Sequence, residues 1–276
     1  MSPKIIVSKV KYQGDITASI EKAVNLLGGW KKFIKQGDVV LIKPNFNTAD
    51  PFPASTSLDF LEAAIKFIYK AGAKVVIIGE SSTYSLNTRK VLEETGALEL
   101  CHKLGATVYV FEERNWVKKE VPQGKYLKSV TVPEILDKVD KIILLPCLKT
   151  HRYARFTAAL KLAIGFLRSR ERASLHLTRL EEKIAELNTV FNPDLIIMDA
   201  RKCFVSGGPE SGEVKEPNLI LASTDRIAID IEGLKILKSY PAKNKLDLPL
   251  WEIPQIKRAV ELGLGAKSEK DYKVLV

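Results

Sequence analysis

The sequence predicts an α/β protein. The expected architecture is a mainly parallel sheet with mixed edges and helices on both faces, Rossmann-like, as one unit over residues 1–276 with room for two lobes. Three observations carry this. Short apolar runs rich in β-branched residues, VVLIK at 39–43, KVVII at 74–78 and KIILL at 141–145, suit strands buried on both faces. Segments with helical spacing separate them, which is the βαβ pattern. No repeat, low-complexity linker or compositional break divides the chain.

Taken in order, Lys4 to Val10 alternates and predicts a first strand. Ile16 to Leu27 has helical spacing and stops at Gly28-Gly29. A turn at Gly37-Asp38 leads to strand 39–43, and the Pro-rich stretch ADPFPASTS then forbids helix until Ser57 and Asp59 open one that Gly72 closes. Strand 74–78 ends in Gly79-Glu80-Ser81-Ser82. Asn87 or Thr88 caps a helix to about Leu104, interrupted near Gly96, and Thr107 to Phe111 is the next strand. Tyr126 to Val132 alternates as a hairpin strand laid on a sheet edge. Strand 141–145 is ended by Pro146, and Lys149, Thr150 and His151 fall in the loop behind it. An amphipathic helix carrying Lys161, an Arg-rich segment to His176 and a helix over Thr178 to Val190 follow. Leu195 to Met198 is a strand ending at Asp199, before the turn-rich CFVSGGPESG. Leu219 to Ala222 is a strand, Ser223 or Thr224 caps the helix Arg226 to Leu237, and a last helix spans Ile253 to Leu262.

Composition bounds the function. With 46% hydrophobic and 28% charged residues the chain has an ordinary globular balance. No run reaches the roughly 20 apolar residues that span a bilayer, and the N-terminus lacks a signal peptide's apolar core, so the expectation is a cytoplasmic protein without membrane partners. Cys101, Cys147 and Cys203 lie far apart and form no CxxC pair, which predicts no built-in iron–sulfur cluster and no disulfide framework. A net charge of +10 suits an anionic ligand or nucleic acid. Plentiful Lys, Glu and Ile beside only 2 Met lean towards a thermophilic source.

Four strands deliver polar residues to what, in a parallel sheet, is one edge. Lys43, Asn45 and Asn47 follow the first run, Glu80, Ser81 and Ser82 the second, Lys149, Thr150 and His151 the third, and Asp199 the fourth. The lysines, with Lys161, can hold a carboxylate or phosphate. His151 can give or take a proton near neutral pH. Glu80 or Asp199 can partner it or bind a divalent cation, and a His151–His176–Glu80–Asp199 metal site is a further option. Gly207 and Gly208 can wrap an anion with backbone N–H groups. There is no Walker A motif, no GxGxxG and no GxSxG elbow.

These motifs have a familiar order. IKPNF at 42–46, GAKVVIIGESS at 72–82, TRKVLEETG at 88–96, LPCLKTH at 145–151, TAALKLAIG at 157–165, His176, PDLIIMDA at 193–200, GGPESG and STDRIAID at 223–230 resemble the family called domain of unknown function 362. The resemblance covers nearly the whole chain. It implies a cytoplasmic α/β protein, often joined to ferredoxin-like modules, and hence an iron–sulfur or redox partner protein. Carried over by position, it implies functional roles for Lys43, Asn45, Glu80, Lys149, Thr150, His151, Lys161, His176 and Asp199. Leu162 stands where the family usually has asparagine. The favoured expectation is an enzyme acting on a small anionic metabolite, with His151 as acid/base, Lys149 and Glu80 assisting it, and lysines as the anion cradle. A nucleic-acid-binding protein using Arg152, Arg155, Arg168, Arg170 and Arg172 is the alternative, and a non-catalytic metabolite or metal binder a third.

Overall fold

The apolar runs form strands because each sheds water from both faces at once. In the computed structural model, which describes residues 5–276, the elements follow in chain order. They are β1 (Ile5–Lys11), α1 (Ile16–Asn25), β2 (Val39–Lys43), α2 (Leu58–Ala71), β3 (Val75–Glu80), α3 (Thr88–Glu94), α4 (Ala97–Lys103), β4 (Thr107–Val110), β5 (Trp116–Glu120) and β6 (Ser129–Pro133). Then come β7 (Lys141–Leu144), β8 (Cys147–His151), β9 (Arg155–Thr157), α5 (Ala159–Leu162), α6 (Ser169–Leu175), α7 (Leu180–Leu187) and β10 (Leu195–Phe204). The chain closes with β11 (Val214–Lys215), β12 (Leu219–Ser223), α8 (Arg226–Lys238), α9 (Pro254–Glu261) and β13 (Tyr272–Leu275). Lys4, at the start of the first predicted strand, lies outside the described residues.

The main sheet runs β13-β1-β12-β10-β7-β2-β3-β4. From β10 to β4 all neighbours are parallel, while β12 pairs antiparallel with both β1 and β10. This is the mixed-edge, mainly parallel α/β sheet that the alternation predicts. Side chains leave each strand to alternate faces. Val40, Ile42, Val76 and Ile78 join Ile20 of α1 and Phe60 of α2 in one core. Leu41, Ile77, Ile142 and Leu144 join Phe166 and residues of α8 in the other.

Four expectations need correction. The alternating 126–132 stretch does not lie on an edge of the main sheet: β6 pairs with β5 as a separate two-stranded sheet, because Trp116–Glu120 supplies its own partner. Lys149, Thr150 and His151 are not loop residues. They sit on β8, which pairs parallel with β10 and antiparallel with β9, so all three are buried. Asp199 does not end its strand, since β10 continues to Phe204 with β8 and β11 as partners. Finally, α8 is capped neither by Ser223 nor by Thr224. Asp225 accepts from the N–H groups of Ile227 and Ala228 at 3.0 and 2.7 Å.

Candidate active site

The sheet order creates a switch point. After β2 the chain moves outward to β3 and β4. After β7 it moves the other way, to β10. Connections therefore diverge above the carboxyl ends of β2 and β7, and such divergence leaves a crevice. Two connected hollows occupy it. An inner chamber of about 50 Å³ is lined by Lys43, Asn45, Glu80, Lys149, Thr157, Lys161 and Arg172, among others. An outer vestibule of about 350 Å³ is lined by Tyr84, His151, Tyr153, His176 and Glu210, and shares Asn47, Lys161, Ile164, Arg172 and Pro209 with the chamber.

Charge in the inner chamber is unbalanced: four cationic side chains face one carboxylate. Lys43 and Glu80 form a buried pair, with Lys43 also donating to the Pro44 carbonyl at 2.8 Å. Glu80 is held by the N–H groups of Phe46 and Ser81, each at 2.8 Å. Gly165 packs on this pair, and a Cβ there would stand 2.6 Å from Lys43 Cε. Lys149 donates to the carbonyls of Pro53 and Ala54 and has no carboxylate partner among the described residues. The Pro-rich stretch therefore acts as a neutral acceptor for a buried ammonium. Arg172, from α6, reaches the carbonyls of Ser81, Ser82 and Leu167 and the Ser81 hydroxyl, and lies 3.4 Å from the Glu112 carboxylate. Burial pushes the ionisation of Lys43, Lys149 and Arg172 down, because each charge has lost water.

Lys161 differs from these three. It is half-buried, and its ammonium makes no hydrogen bond or ion pair among the described residues. Burial first, and the charge of Lys149 second, push its pKa down to about 7. The backbone just before it is firmly held. The buried Asp230 carboxylate accepts from the N–H groups of Ala159 and Leu160 at 2.7 and 3.1 Å, and Asn188 donates to the Leu160 carbonyl. Thr157, which lines the chamber, adds an orphan: its buried hydroxyl has no partner among the described residues.

The two vestibule histidines are set in opposite ways. Tyr153 and Ala154 direct their backbone N–H groups at Nδ1 of His151, at 3.1 and 3.0 Å. This network requires an unprotonated Nδ1, so the neutral ring carries its proton on Nε2. Burial, Lys161, His176, Lys149 and Arg152 all hold the His151 pKa far below the ordinary range. A ring with Nδ1 occupied and Nε2 protonated donates a hydrogen bond but has no free lone pair. With Nδ1 occupied by these two N–H groups, the face that the neutral ring offers to the vestibule is the Nε2–H donor. His176 is the reverse. Its Nδ1 lies 2.8 Å from the Arg172 carbonyl, which can only accept, so Nδ1 donates and the Nε2 lone pair is free. Tyr153 stands between the two rings, with centroids 6.1 and 6.2 Å away.

Of the residues expected from sequence, Lys43, Asn45, Glu80, Ser81, Lys149 and Lys161 line the chamber, and His151 and His176 line the vestibule. Thr150, between Lys149 and His151 on a strand, points to the other face and donates to the Phe204 carbonyl. Asp199 is spent on Arg201, which also binds Asp59 and Ser57. Gly208, at φ +69°, lets its loop pack on β8, where a Cβ would come within 2.0 Å of the Thr150 carbonyl oxygen. Gly207 lies by a separate basic hollow. Among the described residues no group of three His, Cys, Asp or Glu is gathered for a metal ion, and the four residues considered for one are dispersed. All three cysteines are buried and apart. Asn47, expected at the same strand end, lines both hollows, while Arg172 and Thr157 were missed as chamber residues. Arg172 sat unmarked in an Arg run, and nothing local separates it from its exposed neighbours Arg168 and Arg170. Other members of that run also contact the rest of the chain. Arg152 is tied to Gly208 and Glu210, Arg155 to Glu181 and the Lys245 carbonyl, and Arg168 lies over the Trp116 ring.

The model of the family described as a domain of unknown function, DUF362, matches residues 40–235. A thylakoid-associated protein of Synechocystis sp. is 26% identical over 306 residues, covering 99% of this chain and 94% of that protein. No helix among the described residues is long and apolar enough to cross a membrane. The solved lactate racemase apoprotein of Thermoanaerobacterium thermosaccharolyticum aligns with a TM-score of 0.48 at 11% identity, over 82% of this chain and 55% of that one. A protein of Thermotoga maritima aligns with a TM-score of 0.45 at 12% identity, over 81% and 57%. The chain thus spans little more than half the length of these two solved structures.

Proposed function

The chain belongs to the DUF362 family, and we propose that it is an enzyme acting on a small anionic metabolite, a carboxylate or phosphate, bound at the switch-point crevice. One observation carries this reading: the inner chamber is lined by Lys43, Lys149, Lys161 and Arg172 and by one carboxylate, Glu80, with Glu112 outside the lining as a second partner to Arg172 alone. Buried charge without a counter-charge is costly, so the chamber favours an anion by the same electrostatics that depress its lysines. The unpartnered Thr157 hydroxyl supplies a hydrogen bond that the protein leaves unused. In this reading Lys149, Lys161 and Arg172 hold the anion, and the Lys43–Glu80 pair fixes the chamber wall. His151 donates Nε2–H to the part of the ligand in the vestibule. Proton transfer falls to His176, through its free Nε2, and to the Lys161 amine. Nothing in this assignment calls on the Arg run as a nucleic-acid surface, because four of its five members, Arg152, Arg155, Arg168 and Arg172, are engaged within the protein.

The test is calorimetric titration with oxalate, pyruvate and inorganic phosphate, alongside a generic single-stranded RNA. Saturable one-to-one binding of a small anion, lost in Arg172→Met, is the expected result. Binding of RNA with a steep salt dependence and no small-anion binding would overturn the proposal.

A further inference from the structure

We propose that Lys161 is a nucleophile that forms an imine with the carbonyl carbon of a small 2-oxo acid, the carboxylate of that acid lying in the inner chamber. The proposal rests on the anion-site reading and narrows its ligand class. Three features of the site single out this lysine. Lys43 and Lys149 already donate to protein acceptors, whereas the Lys161 ammonium has none among the described residues. Lys161 lines both hollows, so it stands where the inner chamber opens into the vestibule. The two residues before it, Ala159 and Leu160, have their backbone held by Asp230 and Asn188, which fixes the start of the helix that carries the amine.

Size selects the ligand. A chamber of about 50 Å³ has room for a carboxylate-sized group. The atom bonded to that carboxylate then falls at the junction, beside Lys161. In a 2-oxo acid this atom is an electrophilic carbonyl carbon, and in a phosphate no such carbon exists. Burial beside Lys149 keeps a large share of the amine unprotonated at neutral pH, which is how lysine nucleophiles are activated.

The step balances without an added oxidant or reductant. The amine lone pair bonds to the carbonyl carbon while the π pair moves to oxygen, which takes a proton to give the carbinolamine. The nitrogen then expels that oxygen as water after one more protonation. Amine, oxo acid and one proton become iminium and water. Thr157 lines the same chamber, and its buried hydroxyl has no partner among the described residues.

The experiment treats the full chain with pyruvate or glyoxylate and sodium cyanoborohydride, then measures intact mass and maps the modified peptide. The expected gain is one oxo acid less one water plus two hydrogens, on Lys161. At pH 7 its labelling should outrun that of an ordinary solvent lysine by up to roughly a thousandfold, the ratio of neutral amine for a group titrating near 7 against one near 10.4. Oxalate, which has the carboxylates but no ketone or aldehyde, should protect. Lys161→Arg should lose the adduct, and if that variant does not fold, the map and the oxalate protection on the native chain decide. Oxalate binding with no adduct on Lys161 overturns the imine and leaves the anion site standing. Neither binding nor adduct overturns both. Adducts spread evenly over surface lysines overturn the assignment to Lys161.

Discussion

Replacing Glu80 by Gln tests the electrostatic reasoning most directly. Glu80 is 1% exposed and accepts the Lys43 ammonium and the N–H groups of Phe46 and Ser81. Glutamine keeps the shape but brings an NH2 group to a position surrounded by donors. It also removes the only carboxylate lining a chamber that holds four cations. Removing one partner of a buried pair costs about 3–5 kcal/mol, chiefly because the other charge is left unpaired. With a urea slope of about 3 kcal/mol/M for a chain of this size, the unfolding midpoint should fall by about 1–1.7 M. Urea unfolding followed by circular dichroism at pH 7 measures it. A saturating anion should recover part of the loss, about 2.7 kcal/mol at a hundred times its dissociation constant, and more in the variant than in the native chain. Adding Lys43→Met to Glu80→Gln should restore part of the stability, because the ammonium that lost its carboxylate partner is then gone. Equal midpoints for the native chain and Glu80→Gln would refute the reading of this pair as buried and mutually dependent.

Three further outcomes are expected. Gly165→Ala should cost about 1–3 kcal/mol by overpacking and weaken anion binding, because its Cβ would press on Lys43 at 2.6 Å; unchanged melting and affinity would count against it. Anion affinity should fall as pH rises through about 7 and Lys161 loses its charge; the same group is depressed on folding, so it contributes stability that grows from about pH 7 towards the ordinary lysine range. Calorimetry and urea unfolding across pH 6–10 should show both trends, each flattened in Lys161→Met. For His151 the two amide replacements should separate. Asn keeps an acceptor near Nδ1 for Tyr153 and Ala154 but loses the Nε2 donor, while Gln keeps a donor and leaves those N–H groups poorly paired. Ligand affinity should therefore drop in His151→Asn, and thermal stability in His151→Gln, with turnover surviving in the latter; abolished turnover in both well-folded variants would restore His151 as the proton carrier.

The strands were legible because burial on two faces leaves a mark in every residue. Val39–Lys43 and Val75–Glu80 cannot be apolar and β-branched throughout without declaring a two-sided core. Their ends were legible for the same reason, since Lys43 and Glu80 break an apolar run that has no other use for charge. What the sequence left open depends on pairings between distant segments. β8 reads as a loop because its apolar content is low, yet β9 and β10 supply ladder partners that make Lys149 to His151 a buried strand. That strand decides the site: its alternation sends Lys149 and His151 to the crevice and turns Thr150 away. Asp199 looked like a site carboxylate until the continuation of β10 gave it Arg201, two residues on, as its partner. Arg172 could not be picked from its run, because only packing separates a buried guanidinium from an exposed one.

The sequence by itself thus determined the parallel core, the crevice edge and most residues that reach it, since these follow from hydrophobic pattern and strand direction. The tertiary structure decided which cations lack a partner and which histidine nitrogen keeps its lone pair. These are properties of hydrogen bonds closed over long sequence separations, such as Lys43 with Glu80 and Arg172 with Ser81, or closed by a local turn such as that from His151 to Ala154. Charge and proton affinity answer to the partners within a few ångströms, and those partners are chosen by the fold.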